Sequence, residues 1–210
     1  MTELQQRVQL VELAKSMFER GYATGGAGNI SVKLDEQRVL TTPTGSSFGR
    51  LDIDTLSVVD MEGNHLSGDK PSKEASFHLA IYQRRPQAKA IVHLHSTYLT
   101  ALSCLQGLDK SNAIKPFTPY YVMRVGNLPV VDYFNPGDSQ IAEHLAELAP
   151  HHRAFLLANH GPVVTGSSLL DAIDNAEELE ETAKLRFILD GMDIAYISPS
   201  DVQILAKKGI

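Results

Sequence analysis

The chain has 210 residues, a hydrophobic share of 43%, a charged share of 21% and a formal net charge of -6 at pH 7. That balance excludes a disordered chain, and no run of about 18 apolar residues is present to form a membrane helix. Lysine and arginine cluster only in the short runs QRR and AKKG, too little to neutralise a phosphate backbone, so a nucleic-acid surface is excluded and an anionic partner must be small.

Leu4, Val8, Val11, Ala14 and Phe18 recur at helical spacing and predict a first helix that breaks at Gly21, before the glycine cluster. The opening MTELQQRVQLVELAKSMF mixes Glu and Gln into its apolar positions, which is not the pattern of a secretory signal, and predicts a cytoplasmic protein. NISVKLDEQRVLTTPTG predicts a hairpin about an Asp-Glu turn, and LSVVDMEGNHLSG a second strand pair turning near Gly63 and Asn64. Pro71 is expected to open a helix through SKEASFHLAIYQRR, with Phe77 and Ile81 facing inward and Pro86 as the stop. AIVHLHS then reads as a strand, STYLTALSCL as a helix, NLPVVDYF as a short strand and SQIAEHLAELA as a helix. RAFLLANHGPVVTG reads as two strands split at Asn-His-Gly. The last long helix, SLLDAIDNAEELEETAKLRFILDG, sets Leu169, Ile173, Ala176, Leu179, Ala183 and Phe187 on one stripe and ends at Gly191. Strands in a central sheet with helices on its faces predict an α/β layered fold, with residues 1–210 as one domain. A lone Cys104 has no internal disulfide partner and reads as a buried small apolar residue.

The apolar run AIVHLHS carries the most informative pair. Residues two apart on a strand point the same way, so His93 and His95 present two imidazoles side by side, suited to one metal ion. The alternative is a pair of core histidines bonded to backbone, and the pair alone does not separate the two. His160, at a turn just before Gly161 and Pro162, is a third candidate, and three imidazoles with an open fourth position make a catalytic zinc arrangement. His65, His144, His151 and His152 read as surface residues, and His78 as a core group on the side of its helix that carries Glu74. Glu74 itself either complements the positive end of its helix or performs chemistry. The same first turn offers free N–H groups, the Ser72 hydroxyl and the Lys73 ammonium, a set suited to phosphate. GGAGN at 25–29 and TTPTG at 41–45 are further loops of this kind, each by itself compatible with an ordinary turn.

Taken in order, GGAGNISV, LTTPTGSSF, KPSKEASFHLAIY, AIVHLHS and LLANHGPV resemble the class II aldolase/adducin family over nearly the whole chain. The resemblance implies a three-layer fold whose central, largely antiparallel sheet is flanked by helices. It implies a catalytic divalent metal, usually zinc, on His93, His95 and His160, with Glu74 as the acid/base residue. It implies phosphate binding by Gly28, Asn29, Thr44, Gly45 and Ser72; here the sequence departs from the family, whose PSSE stands as PSKE, and Lys73 is expected to meet the same phosphate as a point charge, although a lysine can also read a carboxylate. It also implies a homotetramer with active sites near subunit interfaces, into which a catalytic tyrosine reaches from a neighbour; Tyr120 and Tyr121 of TPYYVMRVGN lie in the corresponding region, Tyr120 being the one expected at the active site, and the alternative for them is a strand-edge pair packed in an interface. Within the family, RGYATGGAGN, KPSKE and VHLHSTYLTALSCL are similar to the branch that decarboxylates a 3-oxo-tetronate 4-phosphate to dihydroxyacetone phosphate and carbon dioxide through a zinc-stabilised enediolate. An aldolase cleaving a ketose phosphate passes through the same enediolate and is the rival enzyme. A non-catalytic adducin-like interaction domain is the rival of another class, and the presence of all three histidines with Glu74 speaks against it.

Overall fold

Thr2 accepts from the Gln5 amide while the Gln5 side chain returns to the Thr2 amide, and this reciprocal cap opens α1 (Glu3–Glu19) in the computed structural model, which describes residues 1–209. The buried face of α1 runs through Leu10, Ala14 and Met17, whereas Leu4 and Val8 of the predicted stripe are exposed. Apolar residues occupy more than one face of this helix, so spacing alone did not select the one that packs.

The two predicted hairpins are β1 (Asn29–Lys33) with β2 (Arg38–Thr41), and β3 (Ser57–Asp60) with β4 (His65–Ser67). The chain continues through α2 (Ala75–Arg84), β5 (Ala90–His93), α3 (Thr97–Ser103), α4 (Pro119–Arg124), β6 (Val130–Val131) and α5 (Ser139–Leu148). It closes with β7 (Ala154–Leu157), β8 (Gly161–Gly166), α6 (Leu169–Ile188) and α7 (Pro199–Lys208). The strands form one sheet in the order β4-β3-β2-β1-β5-β8-β7-β6, antiparallel throughout except for the parallel pair β6 and β7. The period of two sorts its side chains onto two faces. Val92 and Val164 join the core under α1, α3 and α6; Ile91 and Val163 join a second core under α2 and α5. This is the expected α/β fold, a largely antiparallel sheet between helical layers. His93 shares the face of Ile91, and its ring meets Phe77 of α2 edge-on. Among the described residues, no helix is long and apolar enough to cross a membrane.

Three local expectations are corrected. Pro71 does not open α2: it forms an isolated bridge with Pro43, Lys73 and Glu74 make a turn, and the helix begins at Ala75 with Glu74 at its cap position. The loops of Pro43 and Pro71 are thereby held side by side. TPYYVMR is helical rather than a strand edge, because Pro119 occupies the first turn, where its missing N–H costs nothing. Cys104 caps the end of α3 and is exposed, not buried. The C-terminal α7 packs against α4, with Val202 and Leu205 on the core, and lines a cleft with Arg85, His152 and Arg153 away from the histidine site.

Candidate metal centre and substrate cleft

His93 is the last residue of β5, paired across the ladder with Asn29 of β1 and Val163 of β8. Its ring is fully buried, and Nδ1 lies 2.8 Å from the Pro162 carbonyl. A carbonyl accepts only, so Nδ1 carries the proton and Nε2 is left with a lone pair. That lone pair faces the Nε2 of His95 at 3.2 Å and a Glu74 carboxylate oxygen at 3.4 Å. His95 stands beyond the end of the strand, so its alignment with His93 is not the strand geometry that the spacing predicts, yet the two rings do converge. His160 enters from the turn between β7 and β8, its Nε2 3.4 Å from the other Glu74 oxygen. Asn159 supplies the left-handed residue of this turn, with φ 57°, a conformation that asparagine tolerates better than most. One ligand nitrogen from each of the three rings falls within a 4.8 Å cluster.

Burial, with the neighbouring His160 and His95, holds the His93 imidazole well below its usual range, and burial with His160 lowers that of His95. Neutral imidazoles whose lone pairs face one another repel unless a cation sits among them, so this donor set fits a divalent metal. His78 is a buried core residue, as expected: Nδ1 meets the Ser31 hydroxyl at 2.7 Å, and Ser31 in turn meets Tyr82 at 2.9 Å. His65, His144 and His151 are exposed and His152 half-buried.

Glu74 leans over the cluster from the cap of α2. Its carboxylate accepts from the Asn29 side-chain amide at 2.6 Å, and its own backbone amide donates to the Ser72 hydroxyl at 3.2 Å. The Asn29 amide is therefore committed to the carboxylate, a partnership that the glycine-loop pattern did not reveal. Gly28 has φ +85°, and a Cβ there would lie 2.7 Å from the His93 carbonyl oxygen, so this glycine lets two loops meet at the site. A cleft of about 270 Å³ opens beside them. It brings together Gly28, Asn29, Thr44, Gly45, Ser72, Lys73, Glu74 and His95, every residue expected at the phosphate, plus the carboxylate and one imidazole. Pro136 and Gly137 also line it and were missed, since a Pro-Gly pair in a loop reads only as a turn. Tyr121 is fully buried and donates to the Asn112 side chain at 2.8 Å; Tyr120 is 56% exposed and does not line this cleft.

The family model for the class II aldolase and adducin N-terminal domain matches residues 8–187. The chain belongs to the class II aldolase and adducin family. Among curated relatives in the family, a 3-oxo-tetronate 4-phosphate decarboxylase of Haemophilus influenzae is 64% identical over 209 residues, covering all of both chains. An L-fuculose phosphate aldolase of Methanococcus maripaludis is 35% identical, covering 88% of this chain and 97% of its own. Of solved structures, the YgbL protein of Klebsiella pneumoniae superposes with a TM-score of 0.96 at 60% identity, covering 98% of this chain and 99% of that one. An L-fuculose 1-phosphate aldolase superposes at 0.86 with 30% identity, covering 96% and 94%. The three-histidine cluster thus lies in a chain whose family and fold match the sequence resemblance.

Proposed function

We propose that this protein decarboxylates a 3-oxo-tetronate 4-phosphate to dihydroxyacetone phosphate and carbon dioxide, as a cytoplasmic zinc enzyme in which residues 1–210 form one domain of a homotetramer. The observation that carries this reading is the 64% identity over the full length to a relative of that name, against 35% for the aldolase relative. A divalent ion held by His93, His95 and His160, zinc in this proposal, supplies when bound a Lewis acid for the oxyanion that develops at the ketone.

The residues of the cleft do the rest. Gly28, Thr44, Gly45, Ser72 and Lys73 receive the phosphate, with Asn29 at the same edge, and so place the 2-hydroxy-3-oxo acid against the histidines. The bond from C1 to C2 breaks, carbon dioxide leaves, and the electron pair spreads from C2 onto the ketone oxygen. Glu74 in its acid form then delivers a proton to C2, and the product is the ketose phosphate. Asn29 holds the carboxylate toward that carbon through its 2.6 Å contact. Tyr120, exposed on α4, is available to a neighbouring subunit's cleft.

The test supplies zinc-loaded protein with 3-oxo-tetronate 4-phosphate and follows dihydroxyacetone phosphate and carbon dioxide together. Equal release of both, lost in Glu74→Gln, is the expected result. No release, with condensation of dihydroxyacetone phosphate and an aldehyde instead, would make this chain an aldolase.

A further inference from the structure

His95 is the one of the three histidines that lies in neither a strand nor a turn. His93 is fixed by its strand and by Pro162, and His160 by the tight turn before β8. The Leu94 amide donates to the Pro162 carbonyl at 3.2 Å, and beyond it the chain leaves the sheet. The next anchor is Ser96. It occupies the cap position of α3, but its side chain makes no bond back into that helix. Its hydroxyl donates instead to Oε2 of Glu180, on α6, at 2.7 Å. The same carboxylate accepts from the Tyr98 amide at 2.8 Å and the Leu99 amide at 3.0 Å, so a residue 84 positions away performs the cap.

Glu180 is 6% exposed, and among the described residues no Lys, Arg or His nitrogen lies within 4.0 Å of its carboxylate. Burying an unpaired carboxylate is an expensive way to cap seven residues. Elsewhere in this molecule α1, α5, α6 and α7 are capped locally, by Thr2, Asp138, Ser168 and Ser198. What the distant carboxylate adds is a tie between the rigid interior of α6 and the residue adjoining His95.

We propose that Glu180 is a positioning residue for the metal centre: through Ser96 and the first turn of α3 it holds His95 in place to complete the three-histidine set. This rests on the reading of His93, His95 and His160 as a metal centre. The outer partners of metal ligands set affinity by about 10–100-fold, and here the partner acts through the backbone rather than on the ring.

The experiment measures zinc affinity by competition with a chromogenic chelator, alongside thermal melting of the metal-free protein. Glu180→Gln, which keeps the shape but presents an amide donor to groups that donate, is expected to weaken zinc on the order of tenfold. Ser96→Ala removes one of the three bonds and weakens it by less. Ser168→Ala, which removes the local cap of α6, lowers the melting temperature and leaves zinc affinity unchanged. Wild-type affinity in Glu180→Gln with a lowered melting temperature would reduce Glu180 to a helix cap and overturn the proposal. If Glu180→Gln does not fold, unchanged affinity in Ser96→Ala overturns it. Failure of the wild-type protein to bind zinc would instead remove the underlying reading of the histidines.

Discussion

Glu74 touches two of the three histidines and Asn29 at once, so its substitution separates chemistry from assembly. Glu74→Gln keeps the size and the bond from Asn29 but cannot pass a proton. A positioned acid contributes about 10²–10⁴-fold. The variant is expected to lose kcat by that order while still retaining zinc, read by metal content after gel filtration. Gly28 makes a different prediction. A methyl at Gly28 would strike the His93 carbonyl at 2.7 Å in a backbone conformation that side chains disfavour. Gly28→Ala is expected to cost about 1–3 kcal/mol even without substrate, visible as a lowered melting temperature. A loss of phosphate binding with unchanged stability would show that the glycine serves the ligand alone. Neither effect is legible from GGAGN by itself, because the contact is made by a strand 65 residues further along.

At the scale of elements, α2 ties the site to the core. It carries Glu74 at its cap, and one turn on it buries His78 against Ser31 and Tyr82. Burial, with the nearby His93, pushes the His78 imidazole down to about 3, and Glu74 is the opposing charge that faces it. The unfolded chain protonates this histidine near 6.5 and the folded chain only near 3, so its stabilising contribution is complete above pH 6.5 and is lost as pH falls between those values. At pH 5 the loss amounts to about 2 kcal/mol from this residue. Urea titrations at pH 7 and pH 5, compared between the wild type and His78→Gln, check this: the variant should lose less stability between the two. The sequence placed His78 in the core on the side of α2 that carries Glu74, and it is buried there. It placed the start of α2 four residues early, because a proline suits a first turn equally well as a bridge to another loop.

For the whole molecule, the three histidines come from the end of β5, the segment after it and the turn between β7 and β8, so a bound ion cross-links separate parts of the fold. Any ligand that binds only the folded state stabilises by mass action, about 2.7 kcal/mol at a hundred times its dissociation constant. Chelation is therefore expected to lower the melting temperature, and added zinc to restore it in proportion to the logarithm of free metal. Sedimentation of the same samples should show a species of four chains; a monomer that is fully active would remove any role for Tyr120 in a neighbour's cleft. The amino-acid sequence by itself determined the pairing of hairpins, the helices with one continuous apolar stripe, the candidate three histidines and the glycine- and hydroxyl-bearing loops that line the cleft, because each is written in local spacing or in a short motif. The tertiary structure alone decided which face of α1 is buried, that Asn29 serves Glu74, that Tyr120 stands exposed while Tyr121 is buried, and that Glu180 anchors the segment beside His95. Each of these depends on a contact between residues far apart in the chain, and no local pattern records which distant partner a side chain will meet.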